Sequence, residues 1–341
     1  MLNIAIIGAT GLVGQALIKI LETRNFPVKT LYLLASSRSI GESAVFKNKA
    51  ILIQELDQFD FSAQKIDIAF FSAGGSVSAK YAPLATKAGC IVIDNTSNFR
   101  YDKDIPLIIP EVNPEDLTYY KKQNIIANPN CATIQALVAI KPIYDLVGIS
   151  KINFVTYQSV SGTGRKALEE LIKQTTQTLS GQPTKPEVYP KQIAFNVLPH
   201  IDIFYENGYS KEELKMVWET HKILHDDSIK IIATTARTPT LHGHSVAIHL
   251  ETKQSIKASL AKKILAKAPG ISVIDGIKNN RYPTIIPNAT ETDQVSVGRI
   301  RNFLNDENGL AMWVVADNIR KGAALNAIQI AEMLLNKRML Q

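Results

Sequence analysis

Three glycines spaced three apart, Gly8, Gly11 and Gly14, follow the apolar run 3–7 and open a stretch with apolar residues at Leu17, Ile20 and Leu21. That order reads strand, glycine turn, helix, and it narrows the fold more than any other feature of the chain. Glycines there let the backbone turn tightly and approach a pyrophosphate, which the free amides and dipole of a helix N-terminus favour. The spacing is G-x-x-G-x-x-G rather than G-x-G-x-x-G, and an ordinary strand-to-helix turn also uses glycine. Its place at the first strand–helix junction favours a dinucleotide. Further strand-like runs at 30–34, 67–71, 91–93 and 124–127, with a helical stretch at 77–87, alternate as a parallel doubly wound sheet requires.

Near residue 151 the texture changes. Strand-like runs at 152–158, 229–236, 244–251, 295–300 and 311–315 have fewer helices between them and predict a mixed or antiparallel sheet, with helices over Arg165–Leu179, Lys211–Leu224 and 255–266. Pro142 kinks or ends the helix that starts near Cys131. Residues 180–199 carry four prolines and a glycine and predict an extended loop or an interface excursion. A final helix over 320–335 gathers Ala324, Ala327, Ile328, Ala331 and Leu334 on one face, which must be buried. With 341 residues the chain has room for two domains.

The charge balance, 38 Lys and Arg against 31 Asp and Glu, is +7. No basic cluster exceeds a pair, so the expectation is a solvated surface attractive to small anions, with no nucleic-acid partner. No apolar run is long enough to cross a membrane and Met1-Leu2-Asn3 lacks the charge that begins a signal peptide, predicting a cytoplasmic protein with no membrane partner. Two cysteines are too few for a disulfide framework.

The end of the second strand selects between dinucleotides, because a carboxylate there accepts from a free ribose 2′-hydroxyl and repels a 2′-phosphate. Here it runs into Ser36-Ser37-Arg38-Ser39 with no acid before Glu42, predicting NADP rather than NAD. Read alone, Arg38 is equally a solvated loop arginine. Ser72, Ala73 and Gly74 follow the 67–71 strand at the same sheet edge and are placed beside the cofactor.

Cys131 sits where a helix begins, whereas Cys90 opens an apolar run and reads as core. A helix N-terminus stabilises an anion by only about 0.3–1 kcal/mol, so the thiolate needs a second group. An imidazole would serve as a cation beside the thiolate and as a proton carrier; His244 is the best placed of six histidines, with His242 its rival. His221 and His225 lack a third ligand, and no metal is expected. A thiol nucleophile joined to a nicotinamide means aldehyde oxidation through a thiohemiacetal, or its reverse from an activated acyl group.

The segments Gly8–Gly14, Ser97-Asn-Phe-Arg100, Asn128-Pro-Asn-Cys131, Gln158-Ser-Val-Ser-Gly-Thr-Gly164, Glu219-Thr-His-Lys222, Arg237-Thr-Pro239, Gly243-His-Ser245 and Asn326-Ala-Ile-Gln329 together resemble the aspartate-β-semialdehyde dehydrogenase family over nearly the whole chain. The resemblance implies an α/β fold: a Rossmann-type NADP-binding domain over 1–130, an α+β catalytic and dimerisation domain of mixed sheet over 131–319, and a helix within 320–341 returning to the first. It implies a homodimer that reduces L-aspartyl-4-phosphate with NADPH, releasing inorganic phosphate and L-aspartate-4-semialdehyde, on the route to lysine (through diaminopimelate), threonine and methionine. Cys131 would be nucleophile, His244 acid and base, and Gln158 the orienting residue.

For the substrate, Arg237 suits the carboxylate, Glu219 the ammonium, and Arg100, Lys222 and Asn130 the phosphate. Thr10, Leu12, Val13, Ser161 and Gly162 join the cofactor set by resemblance, as do Asn318 and Gln329. Val246 departs from members that carry an acid there. An N-acetyl-γ-glutamyl-phosphate reductase would share the chemistry but needs no carboxylate for an ammonium; a non-catalytic NADP-binding regulator would need neither Cys131 nor His244.

Overall fold

The computed structural model describes residues 1–337, so the last four residues of the expected returning segment, 338–341, lie outside the described residues. The chain divides into two compact units, Met1–Asn130 with the segment from Ala323 onward, and Cys131–Gly322.

The first unit opens with β1 (Leu2–Ile7), α1 (Leu12–Thr23) and β2 (Val28–Ala35). A hairpin of β3 (Ser43–Phe46) and β4 (Lys49–Glu55), a single turn α2 (Phe61–Gln64), β5 (Ile68–Phe71), α3 (Gly75–Lys87), β6 (Ile91–Asp94) and β7 (Ile125–Ala127) follow. The strands order as β3-β4-β2-β1-β5-β6-β7, parallel except for β3, which runs antiparallel to β4 at the edge. From β1 the chain first builds one way through β2 and β4, then restarts on the other side at β5. That reversal opens a crevice beyond the carboxyl ends of β1 and β5, where this class of sheet takes its ligand. Ile4 to Ile7 are all fully buried, without the alternation of a one-sided strand, because helices cover both faces of a parallel sheet.

The second unit begins with α4 (Cys131–Val147), which runs unbroken through Pro142. Then come β8 (Ile149–Gln158), α5 (Arg165–Leu179), α6 (Lys211–Leu224), β9 (Lys230–Arg237), β10 (His244–Thr252), α7 (Ala258–Leu265), β11 (Ile271–Val273), the single turn α8 (Ile285–Asn288), β12 (Val295–Phe303) and β13 (Asp306–Ala316). The sheet orders as β11-β12-β13-β10-β8-β9. It is mixed: β8–β9 and β11–β12 are parallel and the other pairs antiparallel. Along β8, Ile152, Phe154 and Thr156 are buried while Lys151 and Tyr157 are exposed, so one face is packed and the other is open. On the open face the rings of Tyr157 and Trp313 lie 5.5 Å apart.

The segment 180–199 forms no helix or strand, yet it is fixed: the Glu170 carboxylate accepts from the backbone amide of Glu187, and Gln174 Oε1 accepts from those of Ile193 and Ala194. A π turn over Arg320–Ala324 precedes the last helix, α9 (Leu325–Asn336), which belongs to the first unit. Ala324, Ala327, Ile328, Ala331 and Leu334 are all fully buried in that unit's core with Leu17 and Leu21 of α1. Arg24 clamps Glu332 through two bonds of 2.7 and 2.8 Å.

Close packing at the first glycine turn sets a testable limit. A Cβ on Gly14 would lie 2.2 Å from the Gly8 carbonyl oxygen. Gly14→Ala must push α1 off β1, and the expected loss of stability is about 2–4 kcal/mol. A urea midpoint equal to that of the wild type would contradict this packing.

Candidate active site

In the second unit, three of the expected residues share a single rung of the sheet. Gln158, the last residue of β8, pairs with Arg237, the last of β9, on one side and with His244, the first of β10, on the other. Paired residues on neighbouring strands stand about 5 Å apart with side chains on the same face. All three are buried, His244 completely.

The neighbours of His244 decide its protonation. The backbone N–H of Ser159 donates to Nδ1 at 3.1 Å, and the Ser159 hydroxyl lies 3.2 Å from the same nitrogen. A ring that accepts at Nδ1 carries its proton on Nε2 when neutral. Burial first, and the Arg237 charge second, pull the imidazole down to about pKa 3. This corrects the expectation of an imidazolium waiting beside the thiolate: the resting ring is neutral.

Two nitrogens here are buried and make no hydrogen bond among the described residues, His244 Nε2 and Arg237 Nε. Arg237 spends one arm on the protein, Nη1 donating to the Ser159 carbonyl at 2.7 Å. Gly162 fronts both side chains, since a Cβ there would lie 3.0 Å from Arg237 Nη1 and 3.5 Å from His244 Nε2. Buried polar groups without partners are costly, so two of them beside one glycine call for a polar ligand.

Cys131 begins α4 and is partly exposed, unlike Cys90, which is fully buried and whose thiol burial pushes far up. One turn along α4, the Gln135 amide donates to the backbone carbonyl of His244 at 3.4 Å. Residues four apart on a helix share a face, so Cys131 lies on the side of α4 that meets the start of β10. On its other side Cys131 packs against Gly322.

Gln158 Nε2 donates to Glu212 Oε1 of α6 at 3.1 Å, and Glu212 in turn holds Lys215. Asn318 is buried with both amide ends in use: Oδ1 accepts from the Gly243 amide at 2.8 Å and Nδ2 donates to Ser161 Oγ at 3.0 Å. It thereby ties Ser161 to the turn before His244. Glu219 is fully buried on α6 and Lys222 half-buried, three residues apart on one face. His242, the rival, is half-buried in the preceding turn.

In the first unit, the carboxyl ends of β1, β2 and β5 carry the other set. The Gly8 amide donates to the Leu34 carbonyl and the Ser72 amide to that of Ile7, which draws the turns Gly8–Gly11, Ser36–Ser39 and Ser72–Gly74 together along one edge. Neither α1 nor α3 has a side-chain N-cap, and neither has an acid in its first turn, so both helix starts suit an anion. Thr10 bonds Ser39 at 3.4 Å, Leu12 and Val13 open α1, and Ser36, Ser37 and Arg38 are exposed. Ala73 and Gly74 are exposed as well. Turns of backbone with Arg38 among them, and no acid in the first turn of either helix, suit a phosphorylated dinucleotide.

Arg100 is buried, donating to the Asn95 carbonyl at 2.9 Å, and Asn130 is buried at the end of the first segment of this unit. Gln329 is half-buried on α9 with its amide on Glu111 at 3.2 Å. Sequence reasoning missed Ser159, Glu212 and Gln135. Ser159 had a signal in its place beside Gln158; the other two read as ordinary helix residues.

A family model described as "Semialdehyde dehydrogenase, NAD binding domain" matches residues 3–120, and one described as "Semialdehyde dehydrogenase, dimerisation domain" matches residues 140–321. The aspartate-semialdehyde dehydrogenase of Legionella pneumophila is 56% identical over 100% of this chain and 97% of its own. The crystal structure of aspartate semialdehyde dehydrogenase II from Vibrio cholerae, complexed with ASA, superposes with a TM-score of 0.96 at 51% identity over 98% of each chain. The aspartate semialdehyde dehydrogenase of Candida albicans, solved with NADP, does so at 0.76 and 26% identity over 99% of this chain and all of that one.

The neutral state of His244 has a consequence for stability. The unfolded imidazole takes up a proton near pH 6.5 and the folded one only near 3, so between those values the unfolded chain binds more protons. Stability therefore falls as pH drops through that window, by up to about 1.4 kcal/mol per pH unit from this residue. His244→Asn should flatten the dependence of the urea midpoint on pH between about 6.5 and 4.5. Equal slopes in variant and wild type would contradict the assignment.

Proposed function

The chain belongs to the semialdehyde dehydrogenase family and is an oxidoreductase of aspartate semialdehyde; from that premise we propose that it performs the NADPH-dependent reductive dephosphorylation of L-aspartyl-4-phosphate through a thioester on Cys131. The observation that carries this reading is the pair of orphaned, buried nitrogens on Arg237 and His244 beside Gly162, on the same sheet rung as Gln158. A cationic fork and a neutral imidazole beside one glycine suit a substrate that brings a carboxylate and a reacting carbonyl.

As the thiolate, Cys131 Sγ attacks the acyl carbon, the bond from that carbon to the phosphate oxygen breaks, and inorganic phosphate leaves with the electron pair, drawn by the dipole of α4 and by cationic groups. Arg100, Lys222 and Asn130 take the phosphate, Arg237 the α-carboxylate and Glu219 the α-ammonium. When bound, NADPH supplies the hydride; Gly8, Thr10, Gly11, Leu12, Val13 and Ser72–Gly74 would hold its pyrophosphate side, and Ser36–Ser39 its 2′-phosphate. Ser161, Gly162, Asn318 and Gln329 complete the cofactor set. His244 holds or moves the proton at the oxygen of the acyl group, and Gln158 orients that group. The open face of the second unit's sheet, bearing Tyr157 and Trp313, suits a second copy, giving a homodimer. No helix among the described residues is long and apolar enough to cross a membrane; the proposed place of action is the cytoplasm.

The direct assay follows phosphate-dependent reduction of NADP⁺ with L-aspartate-4-semialdehyde. Cys131→Ala should lose more than about a thousandfold in kcat, because the covalent step has no substitute; normal turnover by that variant would refute the nucleophile. Arg38→Ala should cut the preference for NADP⁺ over NAD⁺ by about tenfold to a hundredfold, the worth of a charge-assisted bond to phosphate. An unchanged ratio would remove Arg38 from the cofactor set.

A further inference from the structure

We infer that Ser159 is a positioning residue that sets which nitrogen of His244 carries the proton: its backbone N–H holds the form that donates from Nε2, and its hydroxyl holds the form that accepts there. The inference rests on the reading of His244 as the proton carrier.

The difficulty it resolves is visible in the geometry. A ring that accepts the Ser159 N–H at Nδ1 has its proton on Nε2, the only ring nitrogen left to face a substrate. In that form Nε2 can donate but has no lone pair with which to act as a base. Oxidation of a thiohemiacetal demands the base: the hydroxyl proton passes to Nε2, the oxygen's electrons close the C=O of the thioester, and the carbon's hydride goes to the oxidised nicotinamide. Before that transfer Nδ1 must bear a proton, and after it both nitrogens do. Each of those states needs an acceptor at Nδ1, and the Ser159 hydroxyl stands 3.2 Å away.

That hydroxyl can accept because its own proton has somewhere to go. Ser159 Oγ donates to Asn318 Oδ1 at 3.3 Å and lies 3.0 Å from Ser161 Oγ. Asn318 is held in the orientation that presents its oxygen, since Nδ2 donates to Ser161 and Oδ1 also accepts the Gly243 amide. The charged groups bearing on His244 are Arg237 from β9, which opposes a second proton, and Glu212 from α6, which favours it; the Gly243 carbonyl also favours it, and from α4 the Gln135 amide donates to the His244 carbonyl. Ser159 adopts φ −67° and ψ 155°, extended backbone that suits a β-branched residue.

The test compares Ser159→Ala, Ser159→Thr and His244→Asn in the full-length enzyme, oxidising L-aspartate-4-semialdehyde with phosphate and NADP⁺. Ser159→Ala keeps the backbone N–H and loses only the acceptor, so kcat should fall about a hundredfold while the KM for the semialdehyde stays within about twofold. Ser159→Thr restores the hydroxyl and should recover kcat to within about threefold of wild type. Should Ser159→Ala fail to fold, Ser159→Cys, similar in volume but a weak acceptor, should show the same kcat loss. If His244→Asn is inactive while the alanine variant turns over normally, or the threonine variant is as slow as alanine, Ser159 has no such role. If His244→Asn itself retains activity, it is the reading of His244 that fails.

Discussion

The register between β8, β9 and β10 is the constraint on which the second unit's chemistry depends. It sets Arg237, Gln158 and His244 side by side on one rung, so that Gln158 meets two side chains some eighty residues further along the chain, at positions that the strands themselves fix. A slip of one residue in either pairing would turn one of them to the opposite face of the sheet. The apolar pattern of β8 forbids the slip, because it would expose Ile152 and Phe154 and bury Lys151. A precise polar site is thus fixed by ordinary hydrophobic burial, each large apolar side chain contributing about 1.5–3 kcal/mol.

Burial that fixes the site also removes the water that would otherwise settle its protonation. His244 is fully enclosed; that enclosure first and the neighbouring guanidinium second decide its charge state, while a backbone amide and a hydroxyl meet Nδ1. In the first unit the governing constraint is steric. Gly8 and Gly14 let β1 and the start of α1 approach until no side chain fits between them.

Much of this was legible in the sequence because it rests on local periodicity. Helices over Arg165–Leu179 and Lys211–Leu224 stand where their apolar spacing places them, the second opened by a Ser210–Glu213 capping box. The hairpin of β3 and β4 escaped, since its turn uses Lys47-Asn48, both with positive φ, in place of the glycine that usually announces such a turn. The three-residue β11 is too short for alternation to register. Pro142 reads as a kink or an end but leaves α4 continuous to Val147, and the last helix opens with a π turn that periodicity does not reveal. The residues proposed for the site from contiguous motifs, such as Cys131 and His244, are singled out by type and position. The proton state of His244 could not, because it depends on enclosure and on Arg237, which only the folded sheet brings near.

The central claim is that Cys131 carries the acyl group covalently. Intact-protein and peptide mass spectrometry of enzyme acid-quenched after mixing with L-aspartyl-4-phosphate, with no nucleotide present, tests it most directly. The account predicts one aspartyl group per chain, lost on treatment with hydroxylamine and confined to the peptide that bears Cys131. An unmodified Cys131 peptide under conditions where phosphate is released, or an acyl group on another residue, would contradict it.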